Sequence, residues 1–261
     1  MQDKQKFYLF LAIILLLILS IGLWKYYSHP SIVYSKKEII LDFSGKKNIS
    51  DKKQQFMEDI VRASQLANYH ISKEKKRLKK INQYFISYSK ISSSHQSSLV
   101  RIAEKFGIKG VQALSDSISI SKFLGELSKR VEIVPVRLAL AQAILESAWG
   151  TSRFAKEGNA YFGIHCYSEG CGLSFGDSDH KVFVKSYDNM QASVNDYLLF
   201  LNSKRGVRKF RNARQEYFSS SDHDIFKLGA SLSSYSEIGG EYQEILNSLF
   251  RNYIPNHIDD Y

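Results

Sequence analysis

Proline and cysteine are scarce in this chain, with three prolines and two cysteines among 261 residues. Hydrophobic residues make up 44% of the sequence. Few prolines together with this apolar content exclude a disordered chain and favour a folded, largely helical protein. Internal repeats are absent, and this length suits one sizeable domain with an N-terminal extension.

The charged residues are unevenly distributed along the chain. Residues 25–130 contain 21 Lys and Arg against 9 Asp and Glu, whereas residues 131–261 contain 13 against 16. A basic segment of this kind binds nucleic acid, anionic lipid or an acidic wall polymer, or it is a solvated lysine-rich helix face. Because no recognised nucleic-acid-binding motif accompanies it, we expect no nucleic-acid partner.

The apolar run Phe7–Trp24 predicts a membrane anchor. As a helix this run, interrupted only by Ser20 and Gly22, spans about 27 Å, close to the ~30 Å hydrocarbon core of a bilayer. The run ends in Leu-Trp-Lys rather than in a small-x-small cleavage site. This ending favours an uncleaved span in the cytoplasmic membrane over a signal peptide.

The rest of the chain is predicted to be mainly helical. Helical spacing of apolar residues begins at Asp51 and continues to about Lys90. Two short strands, in YFGIHC and HKVFVKSY, flank a glycine-rich loop. Further helices are expected near residues 97–106, 119–131, 190–202, 207–218, 222–231 and 240–253. This order predicts an α+β fold that is mainly helical, with a small β element.

The segment Leu138–Gly163, LALAQAILESAWGTSRFAKEGNAYFG, places one acid, Glu146, in an otherwise apolar helix that ends near Gly150. Such a helix is normally buried, and burial together with the helix dipole raises the pKa of a carboxyl near the C-terminus. A carboxylic acid that stays protonated near neutral pH is the proton donor that a glycosidase needs. The alternative is a structural glutamate paired with an arginine such as Arg137 or Arg153.

The run AQAILESAWGTSRFA followed by NAYFG resembles the glucosaminidase domain of bacterial peptidoglycan hydrolases, glycoside hydrolase family 73 of the lysozyme-like superfamily. Within that family the chain is most similar to the Bax-type proteins of Gram-negative bacteria. The likeness continues in the expected order through VPVRLALAQ, CYSEGCG, VFVKSYDNMQASVNDYLLFLN, GVRKFRNAR and YSEIGGEYQEIL, over roughly residues 50–255. The resemblance implies a lysozyme-like domain that cleaves cell-wall glycan.

The resemblance also implies catalytic roles for particular residues. Glu146 would be the general acid, and Tyr235, in the Y-x6-Y segment that ends at Tyr242, matches a cleft tyrosine that aids catalysis in the family. Many family members carry a longer β-lobe with a recognisable glutamate, and this chain departs from that pattern. Asp177 and Asp179 precede the HKVFVK strand, where each is either the second catalytic group or a simple turn residue.

Aromatic residues around Glu146 are candidates for binding the substrate. Trp149, Tyr161 and Phe162 would stack on sugar rings if their faces are exposed, and they are core residues if they are buried. Tyr242 is assigned to the same substrate-binding set, with a core position as its alternative. Asn159 also belongs to this set, and it matches the N-x-x-F-G-I pattern of the family, in which the asparagine caps or hydrogen-bonds the start of the strand.

Cys166 and Cys171 admit two interpretations. In an exported protein they are expected to form a disulfide across a tight loop, worth about 2 kcal/mol from loop entropy. Together with His165 and His180 the set H-C-x4-C-x8-H could hold zinc instead. That spacing is not a standard zinc pattern, and an oxidising compartment disfavours free thiolates. We therefore expect no metal and no cofactor.

These observations divide the chain into an anchor over residues 1–28, a basic linker and helical region over 29–118, and a catalytic domain over 119–261. We expect a single-pass inner-membrane protein whose catalytic domain faces the periplasm. It would cleave the β-1,4 bond after N-acetylglucosamine in the glycan strands of peptidoglycan. The alternatives are a lytic transglycosylase or muramidase with the same single-glutamate core, and a catalytically silent wall-binding scaffold.

Overall fold

The computed structural model describes residues 41–42, 45–111, 114, 116–176, 182–232 and 240–259. All of these residues belong to one compact unit, which comprises residues 40–261. The membrane anchor predicted over Phe7–Trp24 lies outside the described residues. Within the described part of the chain, no helix combines the length and the hydropathy needed to cross a membrane.

The described chain is mainly helical and contains one small sheet, which confirms the predicted α+β class. Strands β1 (His165–Cys166), β2 (Gly172–Ser174) and β3 (Phe183–Lys185) form an antiparallel sheet in the order β1-β3-β2. The helices are α1 (Asp51–Tyr88), α2 (Ser93–Lys105), α3 (Ser117–Arg130), α4 (Val136–Ser147), α5 (Arg153–Gly158), α6 (Met190–Ser203), α7 (Arg208–Ser219), α8 (Ile225–Ala230) and α9 (Gly240–Asn252). Short 3-10 turns occupy Arg205–Val207 and Asn256–Asp259.

Several helices begin at a side chain that accepts hydrogen bonds from amides of their own first turn. The first amides of a helix have no partner inside it, so a capping oxygen removes an energetic penalty. These capping residues are Ser92, Asp116, Ser152, Asn189 and Asp224. Because a cap and its helix are close in sequence, most of the predicted helix starts lie within a few residues of the observed ones.

Strand β2 is an element that the sequence did not predict, because its residues lie in a glycine-rich stretch typical of a loop. Gly172 lies so close to β3 that a Cβ on it would be 1.9 Å from the Val184 carbonyl oxygen. A disulfide joins Cys166, at the end of β1, to Cys171, directly before β2. The disulfide prediction is therefore confirmed, and neither sulfur is available as a zinc ligand.

Helix α4 lies at the centre of the described fold. Nine of its twelve residues are buried, as its apolar sequence predicted. Helices α1 and α9 both pack directly on it, and α1 also packs along α6. The end of α4 is therefore held by elements from both halves of the sequence.

A buried arginine on α7 links this helix to α6 and α3. Arg214 on α7 is fully buried, and burial lowers its pKa to about 9, so the guanidinium stays charged at neutral pH. Its Nη1 donates to Asn202 Oδ1 at 2.6 Å and its Nη2 donates to the Lys129 carbonyl at 2.9 Å. These bonds hold α7 against the C-terminal ends of α6 and α3, where carbonyl groups lack helical partners.

Helix α1 belongs to the same core, although the sequence assigned it to a region that precedes the catalytic domain. The buried Asn68 side chain donates from Nδ2 to the Val134 carbonyl at 2.7 Å, and its Oδ1 accepts from the Val134 amide at 3.0 Å. Phe56 packs against Gly150, where a Cβ would lie only 2.8 Å from the ring. The structure thus joins α1 to the residues beyond the boundary predicted at residue 118.

Removal of the Asn68 amide should destabilise the folded protein. Asn68→Ala leaves two buried backbone groups of Val134 without partners, and each such group costs about 1–3 kcal/mol. Denaturant unfolding followed by circular dichroism should therefore show a loss of roughly 2–6 kcal/mol. Asn82→Ala, which removes a half-buried bond to Ser128 Oγ, is the matched control and should cost about 1 kcal/mol. Equal losses in the two variants would contradict a special role for Asn68.

Candidate active site

Helix α4 ends at Ser147, so Glu146 lies in its last turn, as predicted. The first left-handed residue is Ala148 (φ 50°), and Trp149 (φ 60°) and Gly150 (φ 73°) follow in the same conformation. Ala148 and Trp149 are not glycines, so this turn carries backbone strain directly after the acid. Ser147 Oγ holds the turn by accepting from the Gly150 amide at 2.8 Å.

The Glu146 carboxyl lies in an environment that favours its neutral form. Burial raises the pKa of this carboxyl, and a hydrogen bond from Tyr242 partly opposes the shift. The negative end of the α4 dipole acts in the same direction as burial. On another side lies Gly163, where a Cβ would be 3.6 Å from Glu146 Oε2. Glu146 therefore remains protonated to higher pH than an exposed glutamate.

Gln142 is a functional candidate that the sequence analysis missed. It lies one turn before Glu146 on the same helix face and is fully buried. Its Nε2 donates to the Tyr242 hydroxyl at 2.6 Å. Since the phenol oxygen accepts from Gln142, its own O–H is free to donate to Glu146, to which Tyr242 is hydrogen-bonded. The sequence does contain a signal for this residue. Gln142 is an isolated polar residue in an apolar helix, four positions before Glu146.

Tyr242 is a partner of the acid rather than a sugar-stacking residue. Its side chain is 1% exposed, so its assignment to the substrate-binding surface is corrected. Burial and the charge of Glu146 both raise the pKa of the Tyr242 hydroxyl, which therefore keeps its proton throughout the physiological range. A phenol that stays protonated can donate to a carboxylate without titrating itself.

Phe162 and Asn159 have structural positions. Phe162 is 1% exposed and its ring stacks on Tyr197, with centroids 3.9 Å apart, so it presents no face to a sugar. Asn159 ends α5 in the left-handed conformation and donates from Nδ2 to the Tyr187 carbonyl at 2.9 Å. This bond ties α5 to the segment after β3. The structure therefore assigns Phe162 to core packing, whereas the hydrogen bond of Asn159 agrees with its expected structural role and its assignment to substrate binding stays a prediction.

Trp149 and Tyr161 are half-buried and connect the end of α4 to α1. Lys53 Nζ lies 4.5 Å from the centroid of the Trp149 ring, and Tyr253 packs edge-on against that ring at 5.5 Å. The Tyr161 ring lies 6.0 Å from that of Phe56. Each ring keeps some exposed surface, so a role in stacking on sugar stays a prediction for these two residues.

The proposed arginine partners of Glu146 bind elsewhere. Arg137 donates from Nη2 to Asn256 Oδ1 at 3.0 Å, while Arg153 pairs with Glu157 at 3.5 Å and donates to the Ser174 carbonyl. The structural ion-pair interpretation of Glu146 is therefore wrong for these two arginines.

The remaining catalytic candidates, Asp177, Asp179 and Tyr235, lie outside the described residues, as does His180. Among the residues that the structure describes, no group of three or more His, Cys, Asp and Glu side chains could hold a metal ion.

Comparisons with known proteins place the described site within a family match. The family model for glucosaminidase, described as mannosyl-glycoprotein endo-beta-N-acetylglucosaminidase, matches residues 121–254. The chain is also similar to Protein bax of Escherichia coli (strain K12), at 28% identity over 131 residues. That match covers 48% of this chain and 45% of the relative, so the chain spans less than half of the relative's length. No solved structure matches the chain.

Loss of the Tyr242 hydroxyl should raise the pKa of Glu146 further. Tyr242→Phe removes the bond that opposes the effect of burial, so the neutral acid should persist to higher pH. Carbon-13 NMR titration of the glutamate carboxyls, with Glu146 assigned from its Gln variant, measures the shift. Tyr187→Phe is the control because its hydroxyl binds Asp196 at 2.8 Å instead. An unchanged or lowered Glu146 pKa in Tyr242→Phe would contradict the assignment.

Proposed function

This chain belongs to the glucosaminidase family, and we propose that it is a peptidoglycan hydrolase that cuts the β-1,4 bond after N-acetylglucosamine. The matched residues 121–254 include all of α4 and all of α9, the helix that carries Tyr242. A glucosaminidase domain makes glycan the substrate class. The observation that supports the finer proposal most is a half-buried acid with a raised pKa at the end of the central helix.

In the proposed reaction Glu146 is the general acid. Its proton passes to the glycosidic oxygen as the bond to the leaving sugar breaks, which leaves a carboxylate in a partly buried site. Tyr242 then donates to this carboxylate, and Gln142 holds the phenol in the orientation that this requires. The same hydrogen bond that limits the pKa shift therefore stabilises the charge that forms on Glu146.

The second catalytic group is proposed to come from Asp177, Asp179 or Tyr235. The loop with the two aspartates leads into β3, and β3 pairs with β1. Strand β1 begins two residues after Gly163, which lies against Glu146. This connectivity is the support for assigning the second group to that loop. In glycosidases the second group activates water or stabilises the cation that forms on the sugar.

We further propose that the domain acts in the periplasm, tethered to the inner membrane through residues 7–24. The disulfide between Cys166 and Cys171 supports an oxidising compartment, because such bonds are rare in the cytosol. The apolar run of the sequence supports the tether. Peptidoglycan, the proposed substrate, lies outside the cytoplasmic membrane. This location is consistent with both the oxidising compartment and the membrane tether.

Glu146→Gln should lower hydrolysis of purified sacculi by roughly 10²–10⁴-fold, because the amide keeps the shape of the acid but cannot donate the proton. Glu157→Gln, at an exposed glutamate paired with Arg153, is the matched control and should retain full activity. Mass spectrometry after borohydride reduction should identify N-acetylglucosamine at the new reducing ends of the wild-type products. Reduced N-acetylmuramic acid would indicate a muramidase, and anhydro ends would indicate a lytic transglycosylase. A residual rate above a few per cent in Glu146→Gln would reject Glu146 as the acid.

The same variant should be more stable than the wild type at neutral pH. A raised pKa means that the folded protein holds the Glu146 proton where the unfolded chain, with a pKa near 4.3, has released it. By linkage the wild type loses stability as pH rises from about 4 through the folded pKa. Melting temperatures should therefore differ most above that pKa and converge near pH 4. A lower melting temperature for Glu146→Gln at pH 7 would favour a structural role for the carboxylate.

Thiol counting tests the proposed compartment. Protein isolated without reductant from inner membranes and then unfolded should show no free thiols, because Cys166 and Cys171 are joined. After reduction two thiols should appear. Two free thiols before reduction, or a stoichiometric amount of zinc, would contradict both the disulfide and the periplasmic orientation.

A further inference from the structure

A cavity of about 490 Å³ lies between α1, α2, β3 and α6. Its volume is within the range of small-molecule binding sites. The part of its wall that comes from α1 and α2 precedes residue 121, where the family match begins, and the part from β3 and α6 lies inside that match. The cavity exists only because the N-terminal helices pack on the glucosaminidase domain.

The floor of this cavity is apolar. Ala67 and Ile71 of α1, Phe106 directly after α2, and Leu199 of α6 line it. The first three of these side chains are buried. Such a floor suits small apolar groups, such as the methyl groups of alanine, which gain by leaving water.

The rim of the cavity is cationic. Lys105 and Lys185 both line it, and their side chains are 41% and 40% exposed. The acid on this rim, Asp196, already accepts from Lys185 Nζ at 2.7 Å and from the Tyr187 hydroxyl at 2.8 Å. Asp196 and Lys185 therefore compensate each other, so the excess positive charge at this rim comes from Lys105.

The charged side chains next to Lys105 also carry a net positive charge. The nearest carboxylate, Glu74, lies 3.9 Å from Lys105 Nζ but accepts both Nη atoms of Arg101, at 2.9 and 3.1 Å, and also pairs with Arg77 at 3.1 Å. Two guanidinium groups thus compensate one carboxylate without Lys105. An anionic ligand at this rim would be attracted by the surplus charge.

We propose that this cavity binds a short peptide with free carboxylates and small side chains, as a peptide branch of the glycan substrate. Its place in a wall polymer rests on the proposed function, whereas the chemistry of the peptide rests on the cavity alone. The Tyr187 hydroxyl, which donates its proton to Asp196, can accept from a peptide N–H, and the Asn195 Nδ2 can donate to a peptide carbonyl. Six of the eleven residues that line the cavity carry polar or charged side chains, which favours a peptide over a fatty acid, because a fatty acid needs an apolar wall along its whole length.

The cavity is remote from the reacting bond. Helix α1 contacts the end of α4 through Phe56 and Gly150, and it reaches the cavity eleven residues later at Ala67. At the helical rise this separation is about 16 Å along the axis. Binding at such a distance acts equally on the bound substrate and on the transition state, so it should lower KM and leave kcat unchanged.

Binding of a defined peptide tests the site directly. The full-length protein in detergent micelles is titrated calorimetrically with Ala-Glu-Ala and with the same peptide after amidation of both carboxyls. The free acid should bind at least tenfold more tightly than the amide. Lys105→Glu, which reverses the rim charge, and Ala192→Leu, which fills the cavity without a change of charge, should each weaken binding at least tenfold. Lys79→Glu, at an exposed position on α1, should leave it unchanged.

Equal binding of the acid and the amide would overturn the proposal, as would an equal loss in Lys79→Glu. Binding of laurate without binding of the peptide would overturn it in favour of a lipid site. Kinetics then connect the site to the substrate: Lys105→Glu should raise KM for intact sacculi but not for glycan stripped of its peptides, with kcat unchanged. If the wild-type protein cleaves neither substrate, the proposed function fails, while the titration still decides whether the peptide site exists.

Discussion

The protonation of one partly buried carboxyl is the constraint on which the candidate site depends. Glu146 lies where an apolar helix ends, so burial and the helix dipole both disfavour its charge. Tyr242 offers one compensating hydrogen bond, and Gln142 orients that phenol from one turn away. A neutral carboxylic acid next to a hydrogen-bond donor is suited to proton transfer, because the donor stabilises the carboxylate that forms when the proton leaves.

The N-terminal helix α1 supports this site although it precedes the family match. Its Phe56 lies against Gly150, and its Lys53 covers one face of Trp149. The turn after Glu146 is strained, and strained backbone persists where the surrounding packing holds it. The same helix forms one wall of the cavity that we propose as a peptide site. In this chain the glucosaminidase domain and the helical region before it therefore form one packed unit.

Much of the fold could be predicted from the sequence, and the failures have physical causes. The last-turn position of Glu146 followed from an apolar run with a nearby glycine, and the approximate helix starts followed from the spacing of apolar residues. Strand β2 was missed because three residues in a glycine-rich stretch carry no alternation. Helix α5 was missed because six residues are too few to show a period of 3.6. Phe162 was misassigned because an aromatic ring looks the same in sequence whether it stacks on a sugar or on Tyr197.

The sequence by itself determined the mainly helical class, the family and the position of Glu146 in the last turn of an apolar helix. Each of these depends on residues that are close in sequence or on an ordered set of motifs. The tertiary structure alone decided that Gln142 meets Tyr242 a hundred residues later, that Phe162 is core, and that α1 completes the domain. Which side chains become neighbours depends on how distant segments pack, because burial and hydrogen bonding act over a few ångströms of space and not along the chain.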